Sequence, residues 1–346
     1  MMVLVTAVMA GAQQVGARQA GAAGIRMRQT PPPPRTVSID VVVTSKSGKP
    51  VTGLKQTDFT LLDDKKPQTI TAFHAYDGSQ EPVEAILLID GMNATFQVIA
   101  SERFQIDKFL HANQGKLPVA TALAVLTDEG IQMQGAYTKD GNQLAETLDK
   151  HTIGLRSIGR SAGVQGASER MEESLKAVRM LLAYEASRPG RKMVLWISPG
   201  WPVFGEANLY LTSSQQQGIF HQITWFSTQL RSSRTTFYSV NPLGVEDPVE
   251  HAQLYREFVD GVKKPQDVAY ADLSVQVLAI ETGGLVENSG DISGPLQKCM
   301  EDAGGYYRIS FEPAKASGRD VYHSLGVTMG ERSLSARTTT GYYAQP

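Results

Sequence analysis

Gly159-Arg160-Ser161-Ala162-Gly163 has the spacing of a nucleophile elbow, in which glycines let a serine stand exposed on a sharp turn between a buried strand and a helix. Asp302 and His323 follow in the chain order that a Ser-Asp-His hydrolase triad requires. The flanking residues do not support that chemistry. Leu155-Arg156-Ser157-Ile158 is a poor strand, and residues 162–167 read as a glycine-rich loop. Ser161 is therefore expected in a loop, with a serine hydrolase as the remote alternative. The six histidines, at positions 74, 111, 151, 221, 251 and 323, show no metal-ligand spacing. Cys299 is the single cysteine, so no intrachain disulfide can form, and its apolar helical run marks it as a small buried hydrophobe. Trp201, Phe204 and Tyr210 follow the apolar run at 192–197, and aromatics beyond the end of a strand suit either a partner-binding surface or local packing that covers the sheet's edge.

These residues need a scaffold, and two kinds of hydrophobic pattern supply it. Residues 37–44, 59–63 and 69–75 alternate or are β-branched, with turn residues at 47–50 and 64–67, and predict a small three-stranded antiparallel sheet. Residues 85–90, 119–126 and 192–197 are apolar throughout, as strands covered on both faces must be. Residues 131–137 follow closely enough to pair antiparallel with 119–126. Helical periodicity is predicted over 96–112, 142–150, 169–186, 218–232, 271–281 and 292–303, with further strands at 235–240 and 285–287. From residue 305 the chain is β again, at 306–311, 322–329, 334–338 and 341–343. The fold class is thus α/β, a doubly wound and mostly parallel sheet over 84–303. N-terminal (36–80) and C-terminal (304–346) β segments are expected to pack together as a smaller sandwich-like module.

The chain has 346 residues, of which 41% are hydrophobic and 20% charged, so a sizeable core is expected. A net charge of -2 gives no basic excess for nucleic acid. Residues 3–10 are a short apolar run ending in Ala10-Gly11-Ala12, which reads as a signal peptide over 1–12. Residues 13–35 then form a linker ending in Pro31-Pro32-Pro33-Pro34. The expected localisation is secreted or periplasmic, with no transmembrane segment in the mature chain.

Asp90-Gly91-Met92-Asn93-Ala94, after its apolar strand, stands where a von Willebrand factor type A domain carries its Asp-x-Ser-x-Ser motif. More specifically, the chain resembles the VWFA-related proteins of Acidobacteria. The likeness rests on residues 51–64, on Asp90 with Asn93, on Thr282-Gly283-Gly284, on Tyr306-Tyr307 and on Gly341-Tyr342-Tyr343, and covers about residues 36–344. It implies an exported protein of adhesion type. It also implies a site for Mg²⁺ or another divalent cation built from Asp and Ser oxygens, and here that site is degenerate. Met92 and Ala94 offer no side-chain oxygen, the second loop (154–168) carries serines but no threonine, and Ser198-Pro199 replaces the second aspartate. Asp90 and Asn93 remain as metal candidates of at most weak affinity, and fixing the turn or capping the next helix is their expected role.

The expectation is an exported, non-enzymatic binding protein for a protein or cell-surface partner, with Ser161, Ser198, Trp201, Phe204 and Tyr210 as contact candidates and no cofactor beyond a weak cation. A scaffold of the cell envelope, docking through the β module, is the alternative. N-terminal sequencing of the native protein is expected to begin near Gln13; intact Met1 in a cytoplasmic fraction overturns the export reading.

Overall fold

The structure is a computed structural model and describes residues 36–77, 81–150, 164–201, 211–244 and 254–345. The chain opens with strands β1 (Val37–Thr44), β2 (Phe59–Asp63), β3 (Lys66–Gln68) and β4 (Ala72–Tyr76). An α/β region follows: β5 (Val83–Asp90), α1 (Phe96–His111), β6 (Lys116–Thr127), β7 (Gly130–Asp140), α2 (Gly141–Lys150), α3 (Val164–Glu185), β8 (Arg191–Ile197), α4 (Ser213–Ser232), β9 (Thr235–Asn241), α5 (Val275–Glu281), β10 (Val286–Asn288) and α6 (Ser293–Glu301). Strands β11 (Tyr306–Phe311), β12 (Val321–Met329), β13 (Ser335–Thr338) and β14 (Gly341–Ala344) close it.

The uninterrupted apolar runs become the middle of a six-stranded sheet ordered β10-β9-β8-β5-β6-β7. All neighbours are parallel except β6 and β7. Alternate residues of β5 point to opposite faces. Ala85, Leu87 and Ile89 meet Ile99, Ile106, Phe109 and Leu110 of α1, Leu144 and Leu148 of α2, and Leu296, Cys299 and Met300 of α6. Ile86 and Leu88 meet Leu175, Val178 and Leu182 of α3, Ile223 and Phe226 of α4, and Leu278 of α5. Both faces are covered, which is why these strands carry no polar alternation. Burial of each large side chain is worth roughly 1.5–3 kcal/mol.

The expected α/β class with a β module drawn from both chain ends is the architecture found. The pairing within that module differs from the expectation. Strands β1 to β4 do not form one sheet together. β1 and β4 enter a four-stranded sheet ordered β13-β1-β11-β4, whereas β2 and β3 enter another ordered β14-β12-β2-β3. The two share one apolar core of Val41, Val43, Phe59, Leu61, Tyr307, Ile309, Phe311, Leu325 and Tyr342. The turn expected at 64–67 narrows to Asp64 and Lys65, with φ of 48° and 64°. That two-residue left-handed loop matches the twist of a hairpin. Pro67 is then accommodated in the edge strand β3. The helix expected from 271 begins only at Val275, because the Ser274 side chain caps it and Tyr270–Leu273 forms a tighter turn.

The sequence motifs become pins between layers. Tyr306 stacks on Tyr76 with ring centroids 4.8 Å apart. The Tyr307 hydroxyl donates to the Val51 carbonyl at 2.8 Å and accepts from the Leu54 amide at 3.1 Å. The Tyr343 hydroxyl donates to the Val262 carbonyl at 2.9 Å. At Thr282-Gly283-Gly284, a side chain at Gly284 would stand 1.8 Å from the Phe237 carbonyl oxygen, and Gly283 has φ of 83°. Only glycines let α5 turn away there beside both β9 and β13.

An arginine joins the β module to the α/β region. Arg234, just before β9, donates to both oxygens of Asp40 on β1 at 3.0 and 3.1 Å, and to both oxygens of Glu81. The Tyr306 hydroxyl also donates to Glu81. Burial alone would raise the Glu81 pKa, but Arg234 and Tyr306 outweigh it and hold this carboxyl below its ordinary range. Replacing Arg234 with Met takes the guanidinium from two partly buried carboxylates, and leaves Glu81 with the Tyr306 hydroxyl. Urea denaturation at neutral pH is expected to show a loss of about 3 kcal/mol; a loss within error of zero means the clamp does not hold the modules together.

Candidate functional site

In this sheet the strand order reverses between β5 and β8, since β6 and β7 lie on one side of β5 while β8, β9 and β10 lie on the other. Open α/β sheets form a ligand crevice beyond the carboxyl ends of the strands at such a reversal. Asp90 ends β5 there, and Ser198 follows β8.

Asp90 is fully buried. Its Oδ1 accepts from the amides of Met92 at 3.1 Å and Asn93 at 2.9 Å. Its Oδ2 accepts from Asn93 Nδ2 at 2.9 Å, Trp196 Nε1 at 3.0 Å and Ser198 Oγ at 3.0 Å. Asn93 Nδ2 gives its other hydrogen to Ser174 Oγ on α3 at 3.0 Å. Each of these contacts points a positively polarised hydrogen at the carboxylate. A divalent cation needs the same lone pairs, so this donor set fits a locked turn and does not fit a metal. Thr95, not Asp90 or Asn93, caps α1 by accepting from the Val98 amide.

The partner-contact candidates separate. Ser198 is fully buried, donating to Asp90 and accepting from the Gly200 amide at 3.1 Å. Trp201 is only 1% exposed and packs edge-on against Trp196 at 4.9 Å. Its position after a strand allowed surface contact or local packing, and the indole is packed in the core that includes Ile223 and Phe226 of α4. Ser161, Phe204 and Tyr210 lie outside the described residues. The paper triad is not assembled: Asp302 binds Tyr238 and Arg337, while His323 faces Asp63 and Asp64. Among the described residues, Asp63, Asp64 and His323 form the group of side chains spaced to hold a metal ion.

Several functional residues had no sequence signal. Trp196 and Ser174 looked like ordinary core and helix positions, yet they complete the Asp90 turn. Glu102 lies on the inner side of α1, fully buried, and neither carboxyl oxygen has a hydrogen-bond partner. Burial, and secondly the charge of Asp90, push its pKa well above the ordinary value. On the outer side of the same helix Phe96 is 66% exposed and Phe104 73%. Phe96 opens α1 directly after the Asp90 turn. Both lie within the apolar periodicity that predicted the helix at 96–112, yet they stand on its exposed side.

No family model matches the chain, and no curated protein matches it. Solved structures to which it is similar include the VWA domain of SpRpn10, at 8% identity over 60% of this chain and 87% of that one, with a TM-score of 0.30. The manganese-loaded TRAP protein of Plasmodium vivax is similar at 6% identity, over 77% and 96% of the two chains, with a TM-score of 0.33. The pilus adhesin SpaC from Lactobacillus rhamnosus GG is similar at 9% identity over 85% of this chain and 49% of that one, with a TM-score of 0.38.

Glu102 yields a pH signature. A carboxyl whose pKa is higher folded than unfolded contributes stability that is complete below the unfolded value, about 4.3. That contribution is lost as pH rises through the folded value. The stability of wild type relative to Glu102→Gln is expected to fall with rising pH from about 4.3 upward, at a slope approaching ~1.4 kcal/mol per unit. Denaturation curves run at several pH values measure it; a pH-independent difference refutes the buried, protonated Glu102.

Proposed function

We propose that this chain is an exported, non-enzymatic binding protein that engages a protein or cell-surface partner through the loop edge of its α/β domain. The observation that carries this reading is the position of Phe96. It is 66% exposed on the first turn of α1, beside a turn locked by five hydrogen bonds to Asp90. A rigid crevice edge with an exposed aromatic beside it suits recognition. Phe104 extends the apolar stripe along α1, and covering each ring is worth roughly 1.5–3 kcal/mol. The carboxylate at the crevice is saturated, so binding does not run through a cation held by Asp90. The apolar run at residues 3–10 supports export. No helix among the described residues is long and apolar enough to cross a membrane.

The test is recovery of a partner from solubilised native envelope on immobilised full-length protein, wild type against Phe96→Ser/Phe104→Ser. Recovery is expected to drop about tenfold or more in the variant, equivalent to the loss of about 1.4 kcal/mol, with circular dichroism unchanged. Equal recovery of the same partner by both proteins overturns the proposed surface.

A further inference from the structure

The β module holds a second, independent centre. Asp63 ends β2 and is buried, Asp64 begins the turn to β3 and is half-exposed, and His323 lies on β12. Successive residues of a strand point to opposite faces, so two adjacent aspartates would ordinarily diverge. The left-handed conformation of Asp64, at φ of 48°, breaks that alternation. β12 pairs with β2 so that Leu325 stands opposite Asp63. His323, two residues away on the same face, then reaches both carboxylates.

His323 Nδ1 stands 3.1 Å from Asp63 Oδ1 and 3.0 Å from Asp64 Oδ2. A ring nitrogen carries at most one hydrogen. One hydrogen is either aimed at one of these oxygens or shared weakly between both, so the ring cannot give each of them a full hydrogen bond. The remaining oxygens are held from outside the group. Asp63 Oδ2 accepts from the Tyr342 hydroxyl at 3.0 Å, and Asp64 Oδ1 accepts from the Ser324 amide at 2.9 Å and from Ser324 Oγ at 3.3 Å. The imidazole is stacked on the Tyr342 ring with centroids 5.1 Å apart. Each carboxylate is thus oriented by an outer partner that leaves one oxygen for a common point, the support that ligating groups characteristically receive. His323 Nδ1 thus stands about as far from each carboxylate oxygen as neighbouring ligands on one ion do, roughly 3.0–3.4 Å for bonds of about 2.1 Å, and the three ligand atoms all lie within 4.8 Å of one another.

We propose that Asp63, Asp64 and His323 bind a divalent first-row transition ion of the zinc type, clamping the β2–β3 turn to β12. One imidazole nitrogen with two carboxylate oxygens favours such an ion over magnesium or calcium, which take oxygen alone. The cation takes the place of the single hydrogen and satisfies all three atoms at once. Asp64, at 48% side-chain exposure, leaves the ion open to solvent for water or a partner's carboxylate.

Full-length protein stripped with a chelator and dialysed is titrated with zinc chloride by calorimetry and with cobalt(II) by visible absorption. Wild type is expected to take up one zinc ion at micromolar or tighter affinity and to develop a cobalt absorption band. His323→Gln and Asp64→Asn should each weaken zinc at least about tenfold. Asp64→Asn keeps its turn position and its Oδ1 contacts, so lost binding in that variant is not lost folding. Asp90→Asn should bind zinc as wild type does, which separates this centre from the sheet edge. No heat and no cobalt band with wild type, or equal affinity in both the His323 and Asp64 variants, overturns the assignment.

Discussion

Strand β1 has to be hydrogen-bonded on both sides, and both of its neighbours come from the far end of the chain. Val37 to Val41 pair with β11, and Val41 to Thr44 pair with β13. An isolated β1 would leave two rows of backbone donors and acceptors open, which costs more than its few apolar contacts return. The β module is therefore complete only when the two ends of the chain are brought together across the α/β region. That region is in effect an insertion whose ends are held together at the base of the sandwich. The polar contacts follow from this constraint. Arg234 ties β1 to the start of β9, and Asp302 gathers Arg337 of β13, Tyr238 of β9 and the main-chain contact to Arg191 of β8.

Anchoring at the base leaves the opposite edge of the six-stranded sheet to the loops. There the chain uses its buried polar groups for rigidity. Asp90 receives hydrogen bonds from β8, from the loop after it and from its own turn, so the crevice lies on a stiff floor. Glu102 sits behind this floor without a donor of its own. Two nearby carboxyl groups thus have opposite surroundings: Asp90 accepts five hydrogen bonds, whereas Glu102 accepts none and burial raises its pKa. The unsatisfied Glu102 oxygens are a local cost that apolar packing of α1 must offset.

The sandwich reuses its aromatic residues as both packing and polar support. Tyr342 fills the core with its ring, orients Asp63 with its hydroxyl and carries the His323 ring on its face. Tyr307 likewise packs on Phe59 and Phe73 while its hydroxyl holds the segment at 51–54. Buried tyrosines require such partners, and here the partners belong to segments far away in the chain. Each ring therefore reports on whether distant parts of the chain have met.

By itself the sequence determined the local elements. Continuous apolar runs marked the strands that would be covered twice, the 3.6-residue stripes marked the helices, and alternation marked the β-rich ends. These signals are short-range, because backbone geometry repeats within a few residues. The sequence also discounted a conventional metal site at Asp90 by counting oxygen donors, but the five hydrogen bonds that carboxylate accepts could be seen only in the fold. Only tertiary structure decided which strands are neighbours. The strands at 37–75 looked like one sheet and are divided between two, because β1, β2 and β4 each pair with strands from the far end of the chain. Trp201 could have been surface or packing and is core, while Phe96, inside the apolar periodicity that predicted the helix at 96–112, is surface, since periodicity gives the faces of a helix but not what will stand against them. The Asp63, Asp64 and His323 group was invisible for the same reason: its geometry depends on a left-handed turn and a strand register that no local pattern encodes.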